Sequence, residues 1–174
     1  FRVYFIQNFA VSPDESQLVF SSNFTGHYNL WAMDLPSQFP YQLTFHNQSC
    51  HSVQYSKDGS YILASFDEDG NELTQLFALP NNGGELKKVR YEAESRHMNP
   101  IFSEDGKTLY YTSTKNNPTY LNAYKYDVDT EEESLLLEGE IAPTYLADVS
   151  KDGQKKLVIK HFANTYTLAY LVDG

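Results

Sequence analysis

The chain has 174 residues, 41% of them apolar, with 14 tyrosines, 11 phenylalanines and a formal net charge of −10. That charge argues against nucleic acid as a partner, because cationic side chains are what displace the counterions of a phosphate backbone. No run reaches the roughly 18 apolar residues of a membrane span, and the lone Cys50 leaves no intrachain disulfide and leans towards a reducing, cytoplasmic setting.

No window carries a sustained 3.6-residue apolar period, so almost no helix is expected. The chain begins with Phe1 rather than Met and lacks a charged segment followed by an apolar core, which reads as a piece excised from a longer protein. What organises it is a repeat. Phe9-Ala10-Val11-Ser12-Pro13-Asp14-Glu15 returns as Val53-Gln54-Tyr55-Ser56-Lys57-Asp58-Gly59, then as Ile101-Phe102-Ser103-Glu104-Asp105-Gly106, and then as Ala147-Asp148-Val149-Ser150-Lys151-Asp152-Gly153. The four serines are 44, 47 and 47 residues apart. A period of roughly 40–50 residues marks a repeat architecture.

Each copy reads as strand, tight turn, strand, with Asp-Gly (Asp-Glu in the first copy) supplying the bend. In chain order, Phe1 to Gln7 leads towards the first serine. Leu18 to Ser22, Tyr28 to Leu35 and Tyr41 to Phe45 then complete a unit of four strands, A to D. The second unit places B at Tyr61 to Phe66, a turn at Asp67-Glu68-Asp69-Gly70, C at Leu73 to Leu79 and D at Glu85 to Val89. The third has Thr108 to Ser113, Tyr120 to Asp127 and Ser134 to Leu137, the last after an acidic turn through Glu131-Glu132-Glu133. The fourth has Leu157 to Phe162 and Thr165 to Val172, and no fourth strand.

Four-stranded antiparallel units arranged radially make a β-propeller, in which stacked neighbours supply the core that one unit lacks. The expected fold is therefore all-β: a single propeller segment over 1–174, with repeats at about 1–45, 46–90, 91–138 and 139–174. About four blades fall short of the usual closed ring, and an arc of a ring of about seven or eight blades is expected. The repeated Asp14, Asp58, Asp105 and Asp152 recur once per blade at a turn and are read as structural. Trp31, Phe77, Tyr124 and Tyr170 hold similar C-strand positions and are read as packing between blades.

The pattern apolar-x-Ser-x-Asp-Gly, a Gly or Asn turn, and then Leu with an aromatic residue resembles the propeller repeat of TolB-like proteins. Ser12-Pro13-Asp14 with Asn29-Leu30-Trp31-Ala32-Met33-Asp34-Leu35 is the best-matched copy. The same repeat is similar to the amino-terminal propellers of the prolyl oligopeptidase family of serine peptidases, including acylaminoacyl and dipeptidyl peptidases. That resemblance implies a domain capping a separate α/β-hydrolase domain, its partner in the parent chain, and passing only short peptides to the catalytic serine. The TolB resemblance implies instead a protein-binding scaffold with no enzyme attached.

A nucleophile elbow needs Gly-x-Ser-x-Gly between a strand and a helix. No such pentad occurs, so no catalytic residue is assigned and the segment alone is expected to be inert. Cys50-His51 and Arg96-His97 precede the A strands of repeats two and three, where loops crowd one rim of a propeller tunnel. They are the candidate contacts to substrate or to a neighbouring domain. Cys50, His46, His51 and His97 lack the paired spacing of a zinc site, so neither a metal nor a cofactor is expected. Glu92-Ala93-Glu94 beside Arg96 is weighed as a holder of a peptide amino terminus, against an ordinary solvated loop. Two glycosylation sequons, Asn23-Phe24-Thr25 and Asn47-Gln48-Ser49, are short enough to arise by chance.

Overall fold

The computed structural model describes residues 3–173 of the chain. The expected run over Phe1 to Gln7 therefore falls partly outside the described residues, as does Gly174. Among the described residues there are only strands and turns, and no helix is long and apolar enough to cross a membrane. The chain divides into two compact units, Phe1–Tyr91 and Glu92–Gly174.

The first unit holds two antiparallel sheets. β1 (Ile6–Val11), β2 (Gln17–Ser22), β3 (Asn29–Asp34) and β4 (Pro40–Gln42) pair in chain order. β5 (Cys50–Tyr55), β6 (Tyr61–Phe66), β7 (Gln75–Pro80) and β8 (Lys87–Arg90) repeat the plan. Between them lies a core of Val19, Leu30, Ala32, Leu43, Ile62, Ala64, Phe66 and Leu79. The expected strand Tyr41 to Phe45 is shorter than its apolar pattern suggested. β4 stops at Gln42, and the Thr44 side chain turns back to take the Leu30 N–H at 2.9 Å, leaving Phe45 exposed.

The second unit has a four-stranded sheet, β9 (His97–Phe102), β10 (Thr108–Ser113), β11 (Asn122–Asp127) and β12 (Glu133–Glu138). A three-stranded one follows, of β13 (Thr144–Val149), β14 (Lys155–Ala163) and β15 (Tyr166–Asp173). Tyr110, Ala123, Leu146 and Val158 form its core. Trp31, Phe77, Tyr124 and Tyr170 do share one register, opposite Phe20, Ala64, Tyr111 and Val158. Their burial differs: Tyr124 is 4% exposed and stacks on Tyr111 at 5.7 Å, whereas Tyr170 is 39% exposed. Tyr170 is thus less packed than expected: it lies on β15, at one edge of its three-stranded sheet, with the Lys160 ammonium 6.0 Å from its ring centroid.

All four hairpins between A and B strands are closed by one hydrogen-bond pattern. Ser12, Ser56, Ser103 and Ser150 each donate their hydroxyl to the aspartate two residues on, at 2.6, 2.7, 2.6 and 2.6 Å. Each hydroxyl also accepts the backbone N–H five residues on, at 2.9, 3.1, 2.9 and 2.8 Å. The same carboxylates accept the N–H of Ser16, Ser60, Lys107 and Gln154. Hydrogen bonds made only to the charged form hold a carboxyl low: Asp14, with Ser12 its chief donor, and Asp58, with the Ser60 N–H its chief donor, each come down to about 2.

The third turn residue is left-handed in every copy, with φ of 72°, 72° and 70° at Gly59, Gly106 and Gly153, and 59° at Glu15. A side chain there clashes with its own backbone where glycine does not. Replacing Glu15 by Gly is expected to stabilise the protein by about 1 kcal/mol, read as a rise in melting temperature. The carboxylates also set a pH response. Their folded values lie below the ordinary value of about 4, so their stabilisation is complete above pH 4 and is lost as pH falls through about 2. In urea titrations between pH 4 and pH 2, Asp58→Asn is expected to show a shallower loss of stability than the parent.

Candidate functional site

At one end of the first unit, the strand start, the turn after β6 and the segment after β4 converge. His51 is the extra residue of a bulge: Cys50 pairs with Phe66 and Ser52 with Ser65, leaving His51 without a partner on β6. A bulge re-aims one side chain at the edge of a sheet. Here the His51 Nε2 comes 3.3 Å from a carboxylate oxygen of Asp67, whose side chain is only 5% exposed. The Oδ2 of Asp67 takes the Glu72 N–H at 3.3 Å, and it is the buried Oδ1 that faces the His51 ring.

Beside this pair opens a cleft of about 290 Å³. Phe66, Phe77 and Leu86 give it an apolar floor, with the two phenylalanine rings edge to face at 5.9 Å. The His46 ring stands against Phe66 at 4.6 Å, and its burial lowers its pKa. The successive carboxylates of Asp67, Glu68 and Asp69 form the opposite wall. Gln48 braces that wall, its amide donating to Asp69 at 3.1 Å and its carbonyl oxygen accepting the Asp69 N–H at 2.7 Å. Tyr91 donates to Glu68 at 3.1 Å, and Lys88 lies over the Tyr91 ring. No Lys or Arg lines the cleft.

Among the residues read as rim contacts, Cys50 and His97 are both 0% exposed. The Cys50 Sγ donates to the Ser52 carbonyl at 3.2 Å, and His97 packs edge-on against Tyr111 at 5.4 Å. Arg96 is half-buried, its N–H donating to Thr114 at 2.8 Å, and His51 is exposed. Cys50 and His51 belong to the first unit, Arg96 and His97 to the second. No group of three or more His, Cys, Asp or Glu among the described residues is placed to hold a metal ion.

Two acidic stretches behave differently from their sequence. Glu92, weighed as a holder of a peptide amino terminus, is tied to Lys115 at 2.5 Å. Glu133 does not belong to a solvated turn. It is half-buried, meets the same Lys115 at 2.7 Å and accepts a short hydrogen bond from Tyr111. Conversely, Asp67-Glu68-Asp69 looked like an ordinary turn. The signal available was that the other units put Asn23-Phe24-Thr25 or Thr114-Lys115-Asn116 at that turn, so only this one carries three adjacent acids.

Compared with known proteins, the sequence matches the TolB beta propeller domain over residues 5–163. The chain belongs to the TolB beta propeller domain family. Its sheets are propeller blades. Solved structures agree on the fold: a putative TolB from Agrobacterium tumefaciens has a TM-score of 0.73 at 20% identity, covering 97% of this chain and 58% of that one. TolB from Acinetobacter baumannii scores 0.72 at 17% identity over 95% of this chain and 40% of its own. The acylaminoacyl peptidase of Pyrococcus horikoshii scores 0.65 at 17% identity over 97% and 31%. This TolB-type segment thus spans little more than half, or less, of the structures it matches. No curated protein matches the sequence.

The blades also decide the chemistry of the lone thiol. Burial pushes Cys50 up to about 12, and the thiolate is the reactive form. Iodoacetamide at pH 8 is expected to leave Cys50 unmodified in the folded protein and to alkylate it fully in urea, as read by intact mass.

Proposed function

We propose that residues 1–174 are a non-catalytic propeller segment of a prolyl-oligopeptidase-like serine peptidase, gating the access of short peptides to a separate α/β-hydrolase domain. The observation that carries this is a fold shared with peptidase propellers, in a sequence without a Gly-x-Ser-x-Gly pentad. A catalytic serine needs a general base to take its proton. Each repeated serine here gives its proton to a turn aspartate instead and spends its oxygen on a backbone N–H. Ser103 and Ser150 do the same. With His97 and Cys50 buried, the rim contacts to peptide or to the hydrolase domain fall to His51 and Arg96.

A second reading is a TolB-like scaffold that binds a protein partner and has no catalytic domain. It is favoured by the family match over residues 5–163.

Fluorophosphonate labelling of the natural full-length protein, run beside residues 1–174, separates the two. Label on the full-length protein alone is expected from the gate. No label on either supports the scaffold, and label on the segment itself overturns both.

A further inference from the structure

We propose that the cleft between the two sheets of the second unit, lined by Tyr110, Lys125 and Lys156, binds a carboxylate carried on a short apolar stem. This holds whether the parent is a peptidase or a scaffold.

The first observation comes from the repeat. In the first unit Val19, Ala32 and Ile62 are fully buried and belong to the core that joins its two sheets. Val19 stands opposite Ala32 in the register of β2 and β3, and Tyr110 stands opposite Lys125 at the same place on β10 and β11. Ile62 lies six residues beyond the turn serine Ser56, and Lys156 six beyond Ser150. An apolar trio in one seam is thus a hydroxyl and two ammoniums in the other. Stacked sheets supply one another's core, and an ammonium at the seam forgoes apolar burial. The fold itself does not call for the change, since the first unit stacks without it.

The second observation is the cleft at that seam. Its volume of about 300 Å³ lies at the small end of ligand pockets. Leu136, Leu137, Leu146 and Val172 give it an apolar side. Two adjacent leucines both reach it because β12 is bulged there: Ala123 pairs with Leu137 and Tyr124 with Leu135, leaving Leu136 as the extra residue.

The third observation is that the charges are unanswered. Among the described residues Lys125 forms no ion pair, and the Lys156 ammonium donates only to the Gln154 carbonyl, at 3.4 Å. Asp173 is the carboxylate on the lining, and it pairs with neither. Each ammonium is a compact charge with three donors, and hydrogen bonds from it to a carboxylate are stronger than neutral ones. A bound carboxylate would take those donors while its stem covers the leucines, a surface that a bare phosphate leaves open. Such a group is offered by a peptide ending in an apolar residue or by a small free acid.

The test is a titration of the chain with acetyl-Ala-Leu, its carboxyl terminus free, followed by backbone amide shifts in NMR. Saturable shifts are expected at Lys125, Leu137, Lys156 and Val172. The peptide amide keeps the shape and loses the charge, and is expected to bind at least about tenfold more weakly, the equivalent of about 1.4 kcal/mol. Lys125→Ala supplies the residue that the first unit uses, and is expected to keep the fold and weaken binding by about fivefold. Lys156→Ile makes the matching change on the facing sheet, with a similar loss. Isocaproate, the same stem without the peptide, identifies the source: weaker binding than acetyl-Ala-Leu supports a peptide terminus, and equal or tighter binding supports a free acid. Absence of shifts at these amides, equal binding of the amide or of acetate, or an unchanged affinity in the folded variants overturns the proposal.

Discussion

A serine hydroxyl two residues ahead of an aspartate does three jobs in each blade. It donates to the carboxylate, accepts the N–H that opens the B strand, and leaves its own backbone N–H and C=O to close the turn. Ser12, Ser56, Ser103 and Ser150 repeat this within fractions of an ångström, although the residues around them differ. The turn fixes the register of A against B, and because a strand's side chains alternate, register decides which face is buried. A slip of one residue at Ser56 would carry Ile62 and Ala64 out of the first unit's core.

The latch was legible because its chemistry is local. Ser, Asp and Gly at fixed offsets imply the turn, and alternating apolar residues imply the strands, so β6 and β10 begin and end where the sequence places them. Less was legible where a residue answers to something distant in the chain. Phe45 continues an apolar run yet lies outside β4, because Thr44 is claimed by Leu30. Glu133 reads as surface charge and is drawn inward by Lys115 and Tyr111. The acidic cleft is of the same kind. The segment bearing His46 and Gln48 and the turn bearing Asp67 to Asp69 are some twenty residues apart, and only the pairing of sheets within the unit brings them together.

The repeated and the unrepeated residues divide the work. Whatever occurs in all four blades serves the fold, and its serines and aspartates are fully committed to one another. Function has to be sought where one blade departs from the others, as Lys125 does at the place that Ala32 holds in the first.

The shortness of the latch has a kinetic side. Its hydrogen bonds close within six residues of chain, whereas the contacts that stack one sheet on the next in the first unit, such as Tyr55 on Gln17, span 38. Closing a short loop is fast, and hairpins form in about 1–10 μs, well before long-range pairings are met. Each A–B hairpin can thus close once both its strands are free, but a lone two-stranded hairpin is only marginally stable in water, so the other strands of its own sheet are what make the early closure last.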